Sequence, residues 1–135
     1  MLGSNDYEGS DMMIMRKLSS HVVNPANDRI VIEVLDEFGH GGACHEYMVK
    51  WPRNDLKDGI RISFQNGPIA TVGVNGLTHE VLLAILEDRL VGFQQGEYRS
   101  MWNAIALRGV RLAQWALKMR TVGRMRRGVE GTHLK

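Results

Sequence analysis

Residues 98–128 read YRSMWNAIALRGVRLAQWALKMRTVGRMRRG, and this stretch decides the fold. Trp102, Ile105, Leu112, Trp115, Ala116 and Met119 recur at the three- and four-residue spacing of one helix face. No proline interrupts the run, and Gly128 stands where a helix stops naturally. The spacing predicts a helix from about Tyr98 to Arg127, with Glu97 at its N-terminus, roughly 45 Å long at the standard rise. Gly109 and Gly123 each weaken it by about 1 kcal/mol relative to alanine. Gly123 is also small enough to admit a close neighbour.

The same stretch is basic. Residues 98–135 carry 9 Lys/Arg against 1 Asp/Glu, a balance of +8, whereas residues 1–97 carry 8 against 14, a balance of −6. The whole-chain charge of +2 hides this division. Cations without carboxylates among them repel one another, so an anionic partner is expected to offset the repulsion.

Working upstream, Thr78 suits a helix N-cap and Glu80 suits the first turn. Leu82, Leu83, Ile85, Leu86 and Leu90 keep helical spacing to about Gln94, and Gly96 ends the helix. It is roughly 25 Å long. A short connection makes the two helices antiparallel neighbours, so the longer overhangs the shorter by about 20 Å. The overhang carries Lys118, Arg120, Arg124, Arg126 and Arg127. Glu87 and Asp88 read as ordinary helix-surface acids.

Residues before Gly76 alternate with a period of two. Arg29 to Leu35 and Cys44 to Trp51 form two strands of a hairpin, joined through Phe38-Gly39-His40-Gly41-Gly42, and Pro52 stops the second. Gly59 to Gln65 alternates again, with Ile60, Ile62 and Phe64 on one face. Asn66-Gly67-Pro68 is a turn, and Ile69 to Val74 reads as a short fourth strand. The expected fold is α+β: a small antiparallel sheet of three to four strands, then a long antiparallel two-helix hairpin. The expected division is a mobile tail over 1–27, a sheet region over 28–76, the hairpin over 77–128 and a C-terminal tail over 129–135.

Length fits one domain, or one domain with a tail. With Cys44 the only cysteine, an intrachain disulfide is impossible. No stretch approaches the roughly 18 apolar residues of a membrane span, so a soluble cytoplasmic protein is expected. His40, Cys44 and His45 straddle a turn with no second pair to complete a tetrahedral set, and no metal is expected. No phosphate-cradling glycine loop precedes a helix, and no nucleophile with base and orienting acid is visible. The sequence offers no case for an enzyme and none for a cofactor.

Arg120, Arg124 and Arg127 share a helix face and suit phosphate, which guanidiniums hold through paired hydrogen bonds. The alternative is a solvated basic face. Phe93, beside the interhelical turn, can stack on a purine or simply pack the turn. Asn103, among apolar residues, needs amide partners, which a ribose, a base or a neighbouring helix can supply. Phe93 and Arg120 lie at opposite ends of the hairpin, so a site containing both needs an antiparallel second copy.

The two-helix region resembles the helical hairpin of phage anti-Thoeris and anti-CBASS sponge proteins. The resemblance rests on Val74-Asn75-Gly76, Leu82 to Ile85, Asp88-Arg89-Leu90, Phe93-Gln94-Gln95-Gly96, Asn103-Ala104, Arg120, and Arg127-Gly128-Val129-Glu130-Gly131-Thr132. Phe64-Gln65-Asn66-Gly67-Pro68-Ile69 and the strands before it resemble the sheet half of the first Thoeris anti-defence family. The resemblance implies a protein encoded by a phage or prophage and working in the host bacterial cytoplasm. It implies binding of glycocyclic ADP-ribose signals without cleavage, by a homodimer or a hexameric trimer of dimers, with no membrane and no DNA partner. In that family a phenylalanine, an asparagine and two arginines one turn apart hold the ligand, and these patterns fall on Phe93, Asn103, Arg120 and Arg124. A second site for cyclic di- or trinucleotides falls on Arg127, Gly128 and Thr132. The rival readings are a small basic nucleic-acid-binding phage protein and an enzyme that degrades the cyclic signal.

Overall fold

In the computed structural model, which describes residues 15–52 and 59–128, the chain is α+β, as its periodicities predict. It divides into two compact units, one up to Asn66 and the other from Gly67.

The first unit is a four-stranded antiparallel meander: β1 (Arg16–Leu18), β2 (Val31–Val34), β3 (Glu46–Lys50) and β4 (Ile60–Ser63), in that spatial order. Arg16 pairs with Val34, Val34 with Tyr47, and Tyr47 with Ile62. A helical turn, α1 (Pro25–Asp28), precedes β2; Asn24 caps it by accepting the Ala26 N–H at 2.9 Å. Among the described residues Val34, Leu35 and Cys44 are the buried apolar ones, and Tyr47 meets Phe64 edge-on at 5.6 Å.

Polar contacts finish the hairpin between β2 and β3. The Asp36 carboxylate accepts the backbone N–H of His45 at 2.9 Å and of Glu46 at 3.1 Å. Its backbone carbonyl accepts the Cys44 thiol at 3.4 Å. Between them runs the glycine turn, where Gly41 and Gly42 adopt φ of 75° and 78°, which side chains disfavour. Buried Glu33 is neutralised by Lys50, whose Nζ lies 3.0 Å from its Oε1.

Two expectations are corrected here. The first strand lies within the segment expected to be tail: three residues, two of them cationic, carry too little alternation to be read, yet they pair with β2. Residues 1–14 lie outside the described residues. The stretch expected as a fourth strand forms a helical turn instead, α2 (Ile69–Val72). Thr71 and Val72 N–H groups donate back to the Pro68 carbonyl, and Gly73 at φ 75° ends the turn. These local bonds override the β-branched composition.

The second unit is built on α3 (His79–Gln95) and α4 (Met101–Arg126). Thr78 occupies the N-cap of α3, although its side chain makes no capping bond. Ser100, not Glu97, caps α4, accepting the Asn103 N–H at 3.0 Å on its hydroxyl. Arg127 and Gly128, the latter at φ 71°, close the C-terminus as read from the sequence. The apolar stripe read from the sequence is not the seam. Asn103, Leu107, Val110, Gln114, Leu117 and Thr121 are among the half-buried positions of α4, and Leu83, Glu87, Leu90 and Gln94 among those of α3, against which it packs. The bulky stripe of Trp102, Ile105, Leu112, Trp115 and Met119 points outward. No described residue of either long helix is fully buried, and neither helix is long and apolar enough to cross a membrane.

Candidate functional site

The turn between α3 and α4 is held by a closed set of contacts. Gln94 donates its amide to the Ser100 carbonyl at 3.1 Å and accepts the Ser100 N–H at 3.0 Å. This reciprocal pair fixes where α4 starts, and Ser100 then caps its first turn. The Asn103 amide reaches back and donates to the Tyr98 carbonyl at 3.1 Å. One of its two amide N–H groups is thus taken by the turn itself, the plain structural role that the sequence left open.

Phe93 stands at the same end. Its ring meets Tyr98 edge-on at 6.2 Å, and the Arg89 guanidinium lies over its face at 5.5 Å. Phe93 nonetheless remains 38% exposed. Sequence reading missed Arg89 and Tyr98 as parts of this cluster. Arg89 had a signal: it lies four residues before Phe93, one turn along the same face.

Arg120 and Arg124 lie near the other end of α4. Arg120 is exposed and Arg124 half-buried. Seventeen residues separate Asn103 from Arg120, about 25 Å along the helix. The structure therefore brings Phe93 and Asn103 together and keeps both apart from Arg120 and Arg124 in a single chain. Helix polarity contributes to the basic end. Carbonyls without intrahelical partners at a C-terminus favour cations, and Arg124 and Arg126 occupy the last turn of α4. Arg127 donates its Nε to the Gly123 carbonyl at 3.3 Å, so it caps the helix, while Gly128 supplies the left-handed residue that follows. Thr132 lies outside the described residues.

Glu87 is not the surface acid its sequence context suggests. Half-buried in the seam, it accepts from Arg111 Nε at 3.0 Å and from Gln114 Nε2 at 3.3 Å. The bond from Arg111, followed by that from Gln114, holds its carboxyl below the ordinary value.

The candidate site is thus two half-sites: an aromatic and amide end, suited to a purine and a ribose, and a guanidinium end, suited to phosphates. Between them the outer face of α4 is apolar and open, with Leu112 at its middle 64% exposed. Trp102, Ile105, Leu112, Trp115 and Met119 thus form an exposed apolar stripe, a feature common to interaction faces.

No protein-family model matches the chain. Over 129 residues, 96% of this chain and 88% of the relative, it is 35% identical to a protein of Bacillus phage SBSphiJ7 named "Thoeris anti-defense 1".

Proposed function

The chain belongs to the Thoeris anti-defense 1 family, and from that premise we propose that it is an anti-immune sponge, which binds glycocyclic ADP-ribose signals and keeps them from the immune effector without cleaving them. Phe93 stacks on the adenine, Asn103 contacts ribose or base, and Arg120 with Arg124 grip the pyrophosphate.

One observation carries this reading: the two half-sites stand at opposite ends of one helix whose intervening face is apolar and uncovered. Ile105, Leu112 and Met119 are spaced seven apart, so the stripe reads alike in both directions about Leu112. Two copies paired antiparallel about Leu112 bury the stripe against itself, Ile105 against Met119 of the second copy. In that register Arg120 of the second copy comes level with Ala104 and Arg124 level with Ser100, at the end of the pair that carries Phe93 and Asn103. Each pair of copies then has two composite sites, one at each end. Closure of both chains over the ligand excludes water, which strengthens each charge-assisted hydrogen bond. Trimers of such dimers give the hexamer, and Arg127, Gly128 and Thr132 are the proposed contacts for cyclic oligonucleotides. The host bacterial cytoplasm is the proposed place of action.

A sponge acts by lowering free signal, so it must bind more tightly than the effector and match the signal in copy number. Incubating the protein with glycocyclic ADP-ribose, removing unbound ligand and heat-denaturing the protein should release the signal intact. Release of a changed molecule would identify an enzyme. No depletion, together with DNA binding that weakens steeply with salt, would identify a nucleic-acid-binding protein. Arg120→Ala or Arg124→Ala should abolish depletion while leaving the circular dichroism spectrum nearly unchanged.

A further inference from the structure

We propose that Trp102 is a ligand-stacking residue of the same site, its indole face taking the ligand's adenine at the Phe93 end; this rests on the function proposed above. Trp102 lies in the first turn of α4, beside Asn103, and is 72% exposed. An indole is the largest stacking surface a side chain offers, and leaving it uncovered forfeits much apolar burial. Its position on the helix says what covers it.

Eighteen residues, five full turns, separate Trp102 from Arg120, so the two share one line along α4. Pairing two copies antiparallel about Leu112 sets Trp102 level with Val122 of the second copy. Arg120 of that copy is two residues away, about 3 Å along the axis. A two-fold axis across an antiparallel pair keeps a given flank on the same side in both chains. The indole of one copy and the guanidinium of the other therefore meet at one level on one flank. Trp102 is also turned roughly 80° from the line through Leu112, since ten residues rotate the helix by about 1000°. It borders the interface and is not at its centre. A ring on the border faces the cleft in which a ligand sits, whereas Ile105 and Leu112 are covered by the second helix. Asn103 donates to the Tyr98 carbonyl and Tyr98 meets Phe93 edge-on, so Phe93 stands at the same end of the hairpin as Trp102.

The experiment compares the unaltered protein with Trp102→Leu and Trp102→Phe. Affinity for glycocyclic ADP-ribose is read by calorimetry, assembly by sedimentation, and indole environment by fluorescence. Trp102→Leu keeps apolar bulk without a π-face and should weaken binding roughly tenfold to a hundredfold with assembly unchanged. Trp102→Phe should recover most of the affinity, yet lose the fluorescence quenching that ligand causes in the unaltered protein. Binding by Trp102→Leu equal to that of the unaltered protein overturns the inference. So does loss of assembly in both variants, which would make Trp102 an interface-packing residue only. An unaltered protein that assembles but takes up no glycocyclic ADP-ribose overturns the proposed function itself, and the role of Trp102 with it.

Discussion

Arg111 Nε donates to Glu87 Oε2 at 3.0 Å, an ion pair that bridges the two long helices. It sits midway along a seam built mainly of aliphatic and amide side chains, and it holds Glu87 below the ordinary carboxylate value of 4.5. A carboxylate depressed in the folded state contributes stability in full above its unfolded value. That contribution is lost as pH falls through the lower folded value. Glu87→Gln should therefore show a smaller drop in melting temperature than the unaltered protein between about pH 6 and pH 3. An equal or larger drop would mean that the pair does not stabilise the hairpin.

Asp36 ties the hairpin of the sheet unit through the backbone N–H groups of His45 and Glu46. Bonds to a charged acceptor contribute about 1.5–3 kcal/mol. Asp36→Ala should lower the unfolding free energy by about 2 kcal/mol in denaturant titrations, and Asp36→Asn by less, because an amide oxygen still accepts one of these bonds. Unchanged midpoints in both would show the contacts to be dispensable.

Gly59 admits no side chain. A Cβ there would overlap the Val49 carbonyl oxygen and stand 2.7 Å from Lys50 Cα, both backbone atoms of β3. The strand cannot yield without breaking its ladder, so Gly59→Ala should cost about 3 kcal/mol or more. Native-like amide protection across β3 and β4 in Gly59→Ala would contradict this.

Leu112 lies at the centre of the open stripe on α4. A carboxylate there meets its own copy across the proposed two-fold axis, where like charges repel and burial is costly. Leu112→Glu should sediment as a monomer and fail to deplete the signal, whereas Leu112→Met should do neither. A Leu112→Glu protein that still assembles would remove the proposed register.

The two architectural halves were legible because each is written in its own period. The α4 pattern is long, free of proline and closed by Gly128, and the three strands from Val31 onward alternate or are bounded by turn residues. What was not legible was tertiary. β1 is three residues long and takes its conformation from pairing with β2. Ile69–Val72 has strand-like composition but is wound up by bonds to Pro68 and ended by Gly73. The sequence pattern also left undecided which face of α4 meets α3. Aromatic and aliphatic bulk picks out Trp102, Ile105 and Leu112, whereas the seam uses Leu107, Val110, Gln114 and Leu117. Both faces carry apolar residues at helical spacing, so periodicity alone does not choose between them. The choice falls to the face without an indole, since Trp102 and Trp115 would hold α3 away and leave Glu87 out of reach of Arg111 and Gln114. Of the site, residue types and their separation along α4 were readable. The Asn103 bond to the turn and the Arg89 cover on Phe93 were not, since both depend on how the connection between the helices closes.

The distance between Asn103 and Arg120 along one helix makes the proposed site divisible, and divisible sites complement. A preparation of Asn103→Ala chains alone should be inert, as should one of Arg120→Ala chains. Mixed and reassembled at random in equal amounts, they should regain about one quarter of the original binding capacity, because about half the pairs are hybrids and each hybrid has one intact end. Recovery of function from two dead parents is something no site contained within a single subunit can produce.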